Sequence, residues 1–355
     1  MMRSAVFYAG RDIQVEDVPM PVPAPDEVLI RVMAAGICGS DLHHYRGANP
    51  WGQPLSLVDR RGHELAGLVV EVGAEVKGFR RGQRVGVEPL HLLGCGHCRP
   101  CQHGAYNICQ TRETGAMPRR RSAGFSEFDV APTKSLFPLP EHVSLDVGAM
   151  IDVYACAVHA LNRLPVRDMN AVVVIGTGAV GLTLGQVARA AGARKVIVVG
   201  RRAATLKVAL EVGAADEVVN SNGVSELEEA IRELTDGRGG DAIFETVGGE
   251  GDTVAQAVAC AAFGGSVVVM GCFCRDVTLA AHVAAAKEIE LRWSNGYASW
   301  RGQREYQLAL DLVACGRLKA EPLISHRFAL EDTAAAFAVA ADKRLSGAIK
   351  VIVNP

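Results

Sequence analysis

Cys95, Cys98, Cys101 and Cys109 stand in the run CGHCRPCQHGAYNIC, a C-x2-C-x2-C-x7-C spacing that brings four thiols within fifteen residues. Loops this short close four thiolates around one Zn²⁺ at about 2.3 Å each, and Gly94, Gly96, Pro100 and Gly104 supply the tight turns. A disulfide framework is the competing chemistry. It suits small secreted chains, whereas this chain has 355 residues and opens on MMRSAVFYAG, which holds no apolar stretch to serve as a signal peptide. A four-thiolate site is closed to further ligands, so it is expected to be structural. Cys38, in AAGICGSDLHHYRG, and His63 with Glu64, in RRGHELAGLVVEVG, are a second set of metal-binding types. Taken alone, a Cys and a His so far apart are more often core residues than partners on one ion.

A third constellation is VVVIGTGAVGL, where Gly176, Gly178 and Gly181 flank Ala179 and Val180 between an apolar strand and a helical stretch. There the backbone must turn tightly and let a pyrophosphate approach a helix N-terminus, the fingerprint of a dinucleotide site. In an NAD site the next strand ends in an acid about twenty residues on, which accepts the ribose 2′-hydroxyl. Here KVIVV runs into Gly200, Arg201 and Arg202. A small residue followed by two guanidinium groups makes room for a 2′-phosphate and pairs with it, so NADP is expected ahead of NAD. The plainer reading is two solvated arginines and a missing acid.

These residues need elements to hold them. The first 150 residues carry short valine-bearing segments punctuated by Gly and Pro, such as EVLIRVMAAG and ELAGLVVEVG, which read as strands of an antiparallel, barrel-like domain. The proline-dense PMPVPAPDE fits a linker between strands. From Ala171 onward apolar strands alternate with alanine-rich helices, ending with DTVAQAVACAAFGG as a helix and SVVVMG as a strand. That alternation is the signature of βαβ units in a doubly wound sheet. A hydrophobic fraction of 49% with 5% aromatics suits such an interior. A net charge of −2 offers no electrostatic case for nucleic acid or an anionic membrane, and no apolar run reaches the roughly eighteen residues of a bilayer span. A cytoplasmic location is expected, with reduced cysteines.

Taken together, the motifs G-x-C-x-S-D-x-H at Gly36 to His43, G-H-E-x2-G at Gly62 to Gly67, the cysteine lobe and the glycine fingerprint occur in one order. In that set the whole chain resembles the zinc-containing medium-chain alcohol and polyol dehydrogenases. The resemblance implies an α/β protein with a GroES-like β-barrel-type catalytic domain, residues 1–153 and 295–355, and a doubly wound Rossmann cofactor domain, residues 154–294. The active site would lie in the cleft between them. It implies two zinc ions per chain, one structural and one catalytic. Cys38 and His63 match the first two ligands of the catalytic zinc, Glu64 the acid beside it, and Asp41 the carboxylate that orients His63. The third ligand departs from the common Glu or Cys: the segment MIDVYACAVHAL puts Asp152 there, with Cys156 a competitor, and Asp serves in some NADP-linked bacterial secondary alcohol enzymes.

By the same resemblance Ser40 matches a hydroxyl that relays the proton through the cofactor ribose to a base such as His43, with His44 the rival base. Met270 and Gly271 would present backbone groups to the nicotinamide, and Lys350 would approach the pyrophosphate or be solvated. Arg119, Arg120 and Arg121 read as a charged surface loop, and Cys260, Cys272, Cys274 and Cys315 as small packing residues. The substrate pocket would draw on segments 45–58, 112–124 and 293–300, including Trp51 and Trp293. The expected reaction is reversible oxidation of a secondary alcohol or polyol to a ketone, by a homodimer or homotetramer with a contact near 289–297. A zinc-ribbon-like binding module and a catalytically silent nucleotide-binding relative are the rivals. The first predicts a basic face, and the second usually lacks Cys38 or His63.

Overall fold

The computed structural model describes residues 1–8, 11–47, 58–89, 94–111, 123–165, 169–223 and 226–355. Trp51, Arg119, Arg120 and Arg121, with most of the expected pocket segments around them, lie outside the described residues. The strands before residue 140 are β1 (Met2–Tyr8), β2 (Ile13–Val18), β3 (Glu27–Gly36), β4 (Val58–Arg60), β5 (Glu64–Val72), β6 (Arg84–Val87), β7 (Phe128–Pro132) and β8 (Leu136–Pro138). Next come β9 (Ala171–Ile175), β10 (Lys195–Gly200), β11 (Glu217–Asn220), β12 (Gly240–Glu245), β13 (Ala261–Val269) and β14 (Glu290–Trp293). The last are β15 (Ser299–Trp300), β16 (Gln303–Arg304), β17 (Ile324–Ala329) and β18 (Lys350–Asn354).

The chain divides into two compact units: Met1–Asp152, Ala298–Cys315 and Ile324–Pro355 form one, Val153–Tyr297 and Gly316–Leu323 the other. The second unit thus runs past the expected boundary of 294 and takes back a piece of the C-terminal block. The reason is a set of hydrogen bonds to the helix Ala179–Ala190. Gln186 Nε2 donates to the Lys319 carbonyl at 3.2 Å, Lys319 N donates to Gln186 Oε1 at 2.6 Å, and Arg317 donates to the Ala190 carbonyl.

In the first unit, a seven-stranded sheet runs β17-β18-β3-β5-β6-β8 with β7 also paired to β3, beside a three-stranded sheet β2-β1-β4. The ten-residue β3 is buried along most of its length, as its near-continuous apolar run requires. Phe7, Phe125 and Phe337 meet at centroid distances of 5.0 to 6.0 Å and close this core.

In the second unit the sheet runs β11-β10-β9-β12-β13-β14, all parallel. Renumbered in chain order that is 3-2-1-4-5-6, the doubly wound dinucleotide-binding order, with the switch point between β9 and β12. Every residue of β9 is buried, because parallel strands covered on both faces tolerate no polar side. One boundary differs from expectation: the helix Thr253–Cys260 stops before AAFGG, and β13 starts at Ala261, which pairs with Gly240. Lys287 Nζ donates to the Ala259 and Ala261 carbonyls, taking over acceptors that a continuing helix would have used. Among the described residues no helix is long and apolar enough to cross a membrane.

Candidate metal centres and dinucleotide site

Strand register brings the first constellation together. Gly36 at the end of β3 pairs with Glu64 at the start of β5, so Cys38, two residues beyond one strand, meets His63, one residue before the other. One donor atom from each of Cys38, His63 and Glu64 lies within 4.8 Å of the other two. Only glycine fits opposite: a Cβ on Gly36 would stand 2.1 Å from Glu64 Oε2. Cys38 caps the helix Gly39–Tyr45, and its N–H donates to Asp41 Oδ2 at 3.0 Å. Asp41 is buried and its other oxygen lies 3.7 Å from His63 Nδ1.

Burial works against a charged His63 ring, but the charges of Asp41, Cys38 and Asp152 and a hydrogen bond with Cys38 outweigh it and raise its proton affinity well above the ordinary value. A field that favours a proton so strongly favours a divalent cation by the same attraction. The donor set of thiolate, imidazole and carboxylate therefore fits zinc. Asp152 opens the helix Ile151–Asn162 and is buried, and its charge reaches His63. It is not in the group within 4.8 Å, where the carboxylate is Glu64 instead. Lys350 departs from both readings made of it. It is 2% exposed, and its Nζ donates to Glu64 Oε2 and, at 3.1 Å, to the Ile37 carbonyl. The pairing of β18 with β3, Ile352 against Gly36, delivers it there.

On the helix Gly39–Tyr45, Ser40 and His43 are half-buried and three residues apart, on one face. Burial and the charge of Arg46 hold His43 below the ordinary imidazole value of 6.5.

The four cysteines of the lobe all lie within 4.8 Å of one another, and none is in a disulfide. Cys95 and Cys101 sulfurs are 4.0 Å apart, those of Cys98 and Cys109 3.8 Å. Four sulfurs at tetrahedral corners about 2.3 Å from one ion are about 3.8 Å apart, so these two separations match a four-thiolate zinc site. Amides turn inward as well: Cys98 N donates to Cys95 Sγ and Cys95 N to Cys109 Sγ, each at 3.3 Å. Tyr106, between the third and fourth cysteines, donates at 2.5 Å to Glu88, which is fully buried and also paired with Arg304. Neither Glu88 nor Arg304 stood out in the sequence.

At the carboxyl end of β9, Gly176 has φ +125°, and a Cβ on it would lie 2.3 Å from Thr246 Oγ1. A Cβ on Gly181 would lie 2.0 Å from the Gly176 carbonyl. Gly178 caps the helix Ala179–Ala190 without a side-chain hydrogen bond, so no side chain stands over that N-terminus as a cap. This is the cradle that a pyrophosphate fits. Gly200 ends β10 against Thr177, whose Cγ2 would be 2.4 Å from a Cβ there. Arg201 is exposed, Arg202 half-buried at the start of the helix Ala203–Glu211, and Asn222 Nδ2 donates to the Arg201 carbonyl at 3.0 Å. Met270 and Gly271 follow β13. Cys260 is buried as expected, whereas Cys274 and Cys315 are exposed and do not pack inside.

Two metal-fitting clusters and a dinucleotide cradle on a doubly wound sheet define a zinc, nucleotide-linked oxidoreductase. Known proteins agree. Residues 24–141 match the family described as alcohol dehydrogenase GroES-like domain, and 179–314 the zinc-binding dehydrogenase family. Sorbitol dehydrogenase of Bacillus subtilis (strain 168) is 31% identical over 100% of this chain and 97% of its own. A zinc-binding dehydrogenase of Sinorhizobium meliloti 1021, solved bound to NADP, superposes with a TM-score of 0.87 at 31% identity, covering 100% and 99% of the two chains. A short chain alcohol dehydrogenase of Escherichia coli CFT073, complexed with NADH, gives 0.86 at 29%, with the same coverage. The chain belongs to the zinc-containing medium-chain alcohol and polyol dehydrogenase family, and is an NAD(P)-linked enzyme of it.

Proposed function

We propose that the chain reversibly oxidises a secondary alcohol or polyol to a ketone, with NADP preferred and NAD accepted. The observation that carries this reading is the approach of Cys38, His63 and Glu64 to within 4.8 Å in a strongly anionic pocket. Cys38 and His63 would hold the catalytic zinc, with Asp152 and Glu64 as the carboxylate donors, and Cys95, Cys98, Cys101 and Cys109 the structural zinc. When bound, zinc at the first site would supply Lewis acidity toward a substrate oxygen, and the nicotinamide would supply the hydride acceptor or donor. Asp41, 3.7 Å from Nδ1 of His63, would orient the ring and leave Nε2 to serve a metal. Lys350 is ion-paired with Glu64 and would limit the charge that carboxylate offers a metal. Ser40 accepts the proton leaving the substrate hydroxyl, and His43 stores it at its ring.

Gly176, Gly178, Ala179, Val180 and Gly181 would hold the pyrophosphate, and Met270 and Gly271 the nicotinamide. Preference for NADP rests on Gly200, which has no room for a side chain, and on Arg201 and Arg202 beside it. The silent-relative reading gains nothing from a site that keeps both Cys38 and His63. Ten cysteines free of disulfides support a cytoplasmic location. The edge position of β14, with Trp293 exposed at its end, supports a homodimer or homotetramer. One experiment tests the function: a panel of polyols and secondary alcohols, followed at the cofactor absorbance with NADP and with NAD, on the wild type and on Arg201→Asp. Turnover of at least one substrate is expected, with NADP activity in the variant falling about tenfold or more relative to NAD. No turnover in the presence of bound zinc overturns the enzyme reading; equal loss with both cofactors overturns the NADP assignment.

A further inference from the structure

Glu245 ends β12 as a fully buried carboxylate. Burying a charge is costly unless it is saturated with donors, and this one is. Its Oε1 accepts from Val247 N at 2.7 Å, Gly248 N at 2.9 Å and Thr253 Oγ1 at 2.8 Å. Its Oε2 accepts from Gly271 N at 3.2 Å. The backbone carbonyl of the same residue accepts from Met270 N at 2.8 Å and Gly271 N at 3.3 Å. No side chain fits at the far end of this knot: a Cβ on Gly271 would be 2.4 Å from both Glu245 Oε2 and Gly248 N.

The next residue continues the chain of contacts. Thr246 donates to the Ile175 carbonyl through N at 3.0 Å and Oγ1 at 2.9 Å, and its hydroxyl occupies the space that side chains on Gly176 and Gly181 would need. Glu245 and Thr246 thus form a strut at the sheet's switch point. One end fixes the glycine turn, the other the Met270–Gly271 backbone.

We propose that Glu245 is a positioning residue for the cofactor: it sets the distance between the pyrophosphate cradle and the backbone that receives the nicotinamide, without itself touching the cofactor. The proposal rests on the dinucleotide reading of this site. Its two oxygens have separate duties, Oε1 holding the 247–253 loop and Oε2 holding Gly271. Glu245→Gln exploits this, because the amide oxygen can serve the three donors while the NH₂ is left facing Gly271 N–H, donor against donor. Only the side-chain hold on Gly271 is lost, while the backbone carbonyl of residue 245 keeps its bonds to Met270 N and Gly271 N.

The test measures dissociation constants of wild type, Glu245→Gln and Thr253→Val for two ligands: the more tightly bound of NADPH and NADH, and the matching ADP-ribose or 2′-phospho-ADP-ribose, which lacks the nicotinamide. Glu245→Gln is expected to weaken the whole cofactor about tenfold while the truncated ligand changes less than about twofold. Thr253→Val, which unsettles the same carboxylate from its other side, is expected to leave the ratio of the two constants unchanged. Equal weakening of both ligands by Glu245→Gln, or no weakening, overturns the positioning role. Failure of the wild type to bind either dinucleotide overturns the site reading itself. Should Glu245→Gln not fold, Glu245→Asp carries the same comparison, since a carboxylate one methylene shorter keeps the charge and cannot hold both the 247–253 loop and Gly271; an unchanged ratio there overturns the role equally.

Discussion

His43 and Arg46 define the smallest scale on which the chemistry can be tested. Burial first, and the Arg46 charge second, hold His43 below the ordinary imidazole value, so the ring is neutral and able to accept a proton at neutral pH. Alcohol oxidation should therefore lose rate only as pH falls through that lowered value, with the acid limb lying below pH 6.5. Arg46→Gln removes a cation that opposes protonation, so the limb should move to higher pH while the plateau rate stays the same. Its guanidinium is exposed and donates to the Ala341 carbonyl at 2.8 Å, which makes the variant mild for folding. A pH profile of kcat in the two proteins checks this. An unmoved limb assigns the base elsewhere, with His44 next in line on the same helix. Lys350 teaches a related point about single residues. A lone lysine within the apolar GAIKVIV is the kind of charge that is buried only when paired, yet its partner Glu64 lies 286 residues away and could not be named from the strand itself.

Between elements, what could be read in advance was pattern, and what could not was register. The near-continuous valines of β9 and β10 and the glycines after β9 announced a doubly wound sheet because both the period and the turn chemistry are local. The meeting of Cys38 with His63 depends instead on a β3–β5 register that shifts twice, between Leu29 and Ile30 and between Val32 and Ala34, and bulges leave no reliable trace in composition. Only the resemblance joined those two residues beforehand. The cysteine lobe was legible from spacing, but its attachment was not, since Glu88, just past β6, and Arg304, in β16, meet only in three dimensions. That attachment is testable. Tyr106→Phe removes one hydrogen bond to a fully buried carboxylate, worth about 1.5–3 kcal/mol. Release of the lobe's zinc to a chromogenic chelator should quicken by about tenfold to a hundredfold, with the second zinc unaffected. An unchanged release rate would mean that the sulfurs hold the lobe closed without help from Glu88.

For the molecule as a whole, the strand β14 at one margin of the parallel sheet is where association with a second copy can be tested. β14 pairs with β13 on one side, and its other side meets no strand among the described residues. Such an edge invites pairing with a second copy, and Trp293 at its end is 59% exposed, a large apolar surface to leave in water. A two-fold axis beside β14 would set it antiparallel to its own copy and extend the sheet across both, which is the closed, self-complementary contact that homodimers favour. Ser294 N donates inward to the Val269 carbonyl, so by the alternation of a strand Trp293 N–H points outward, away from β13. Trp293→Pro removes that donor and the indole together while sparing every bond to β13, because proline is tolerated on an edge. Light scattering should give the wild type a mass of two or four chains, and the variant half that mass or less at micromolar concentration. An unaltered mass in the variant would place the contact on another face, and a monomeric wild type would refute the assembly.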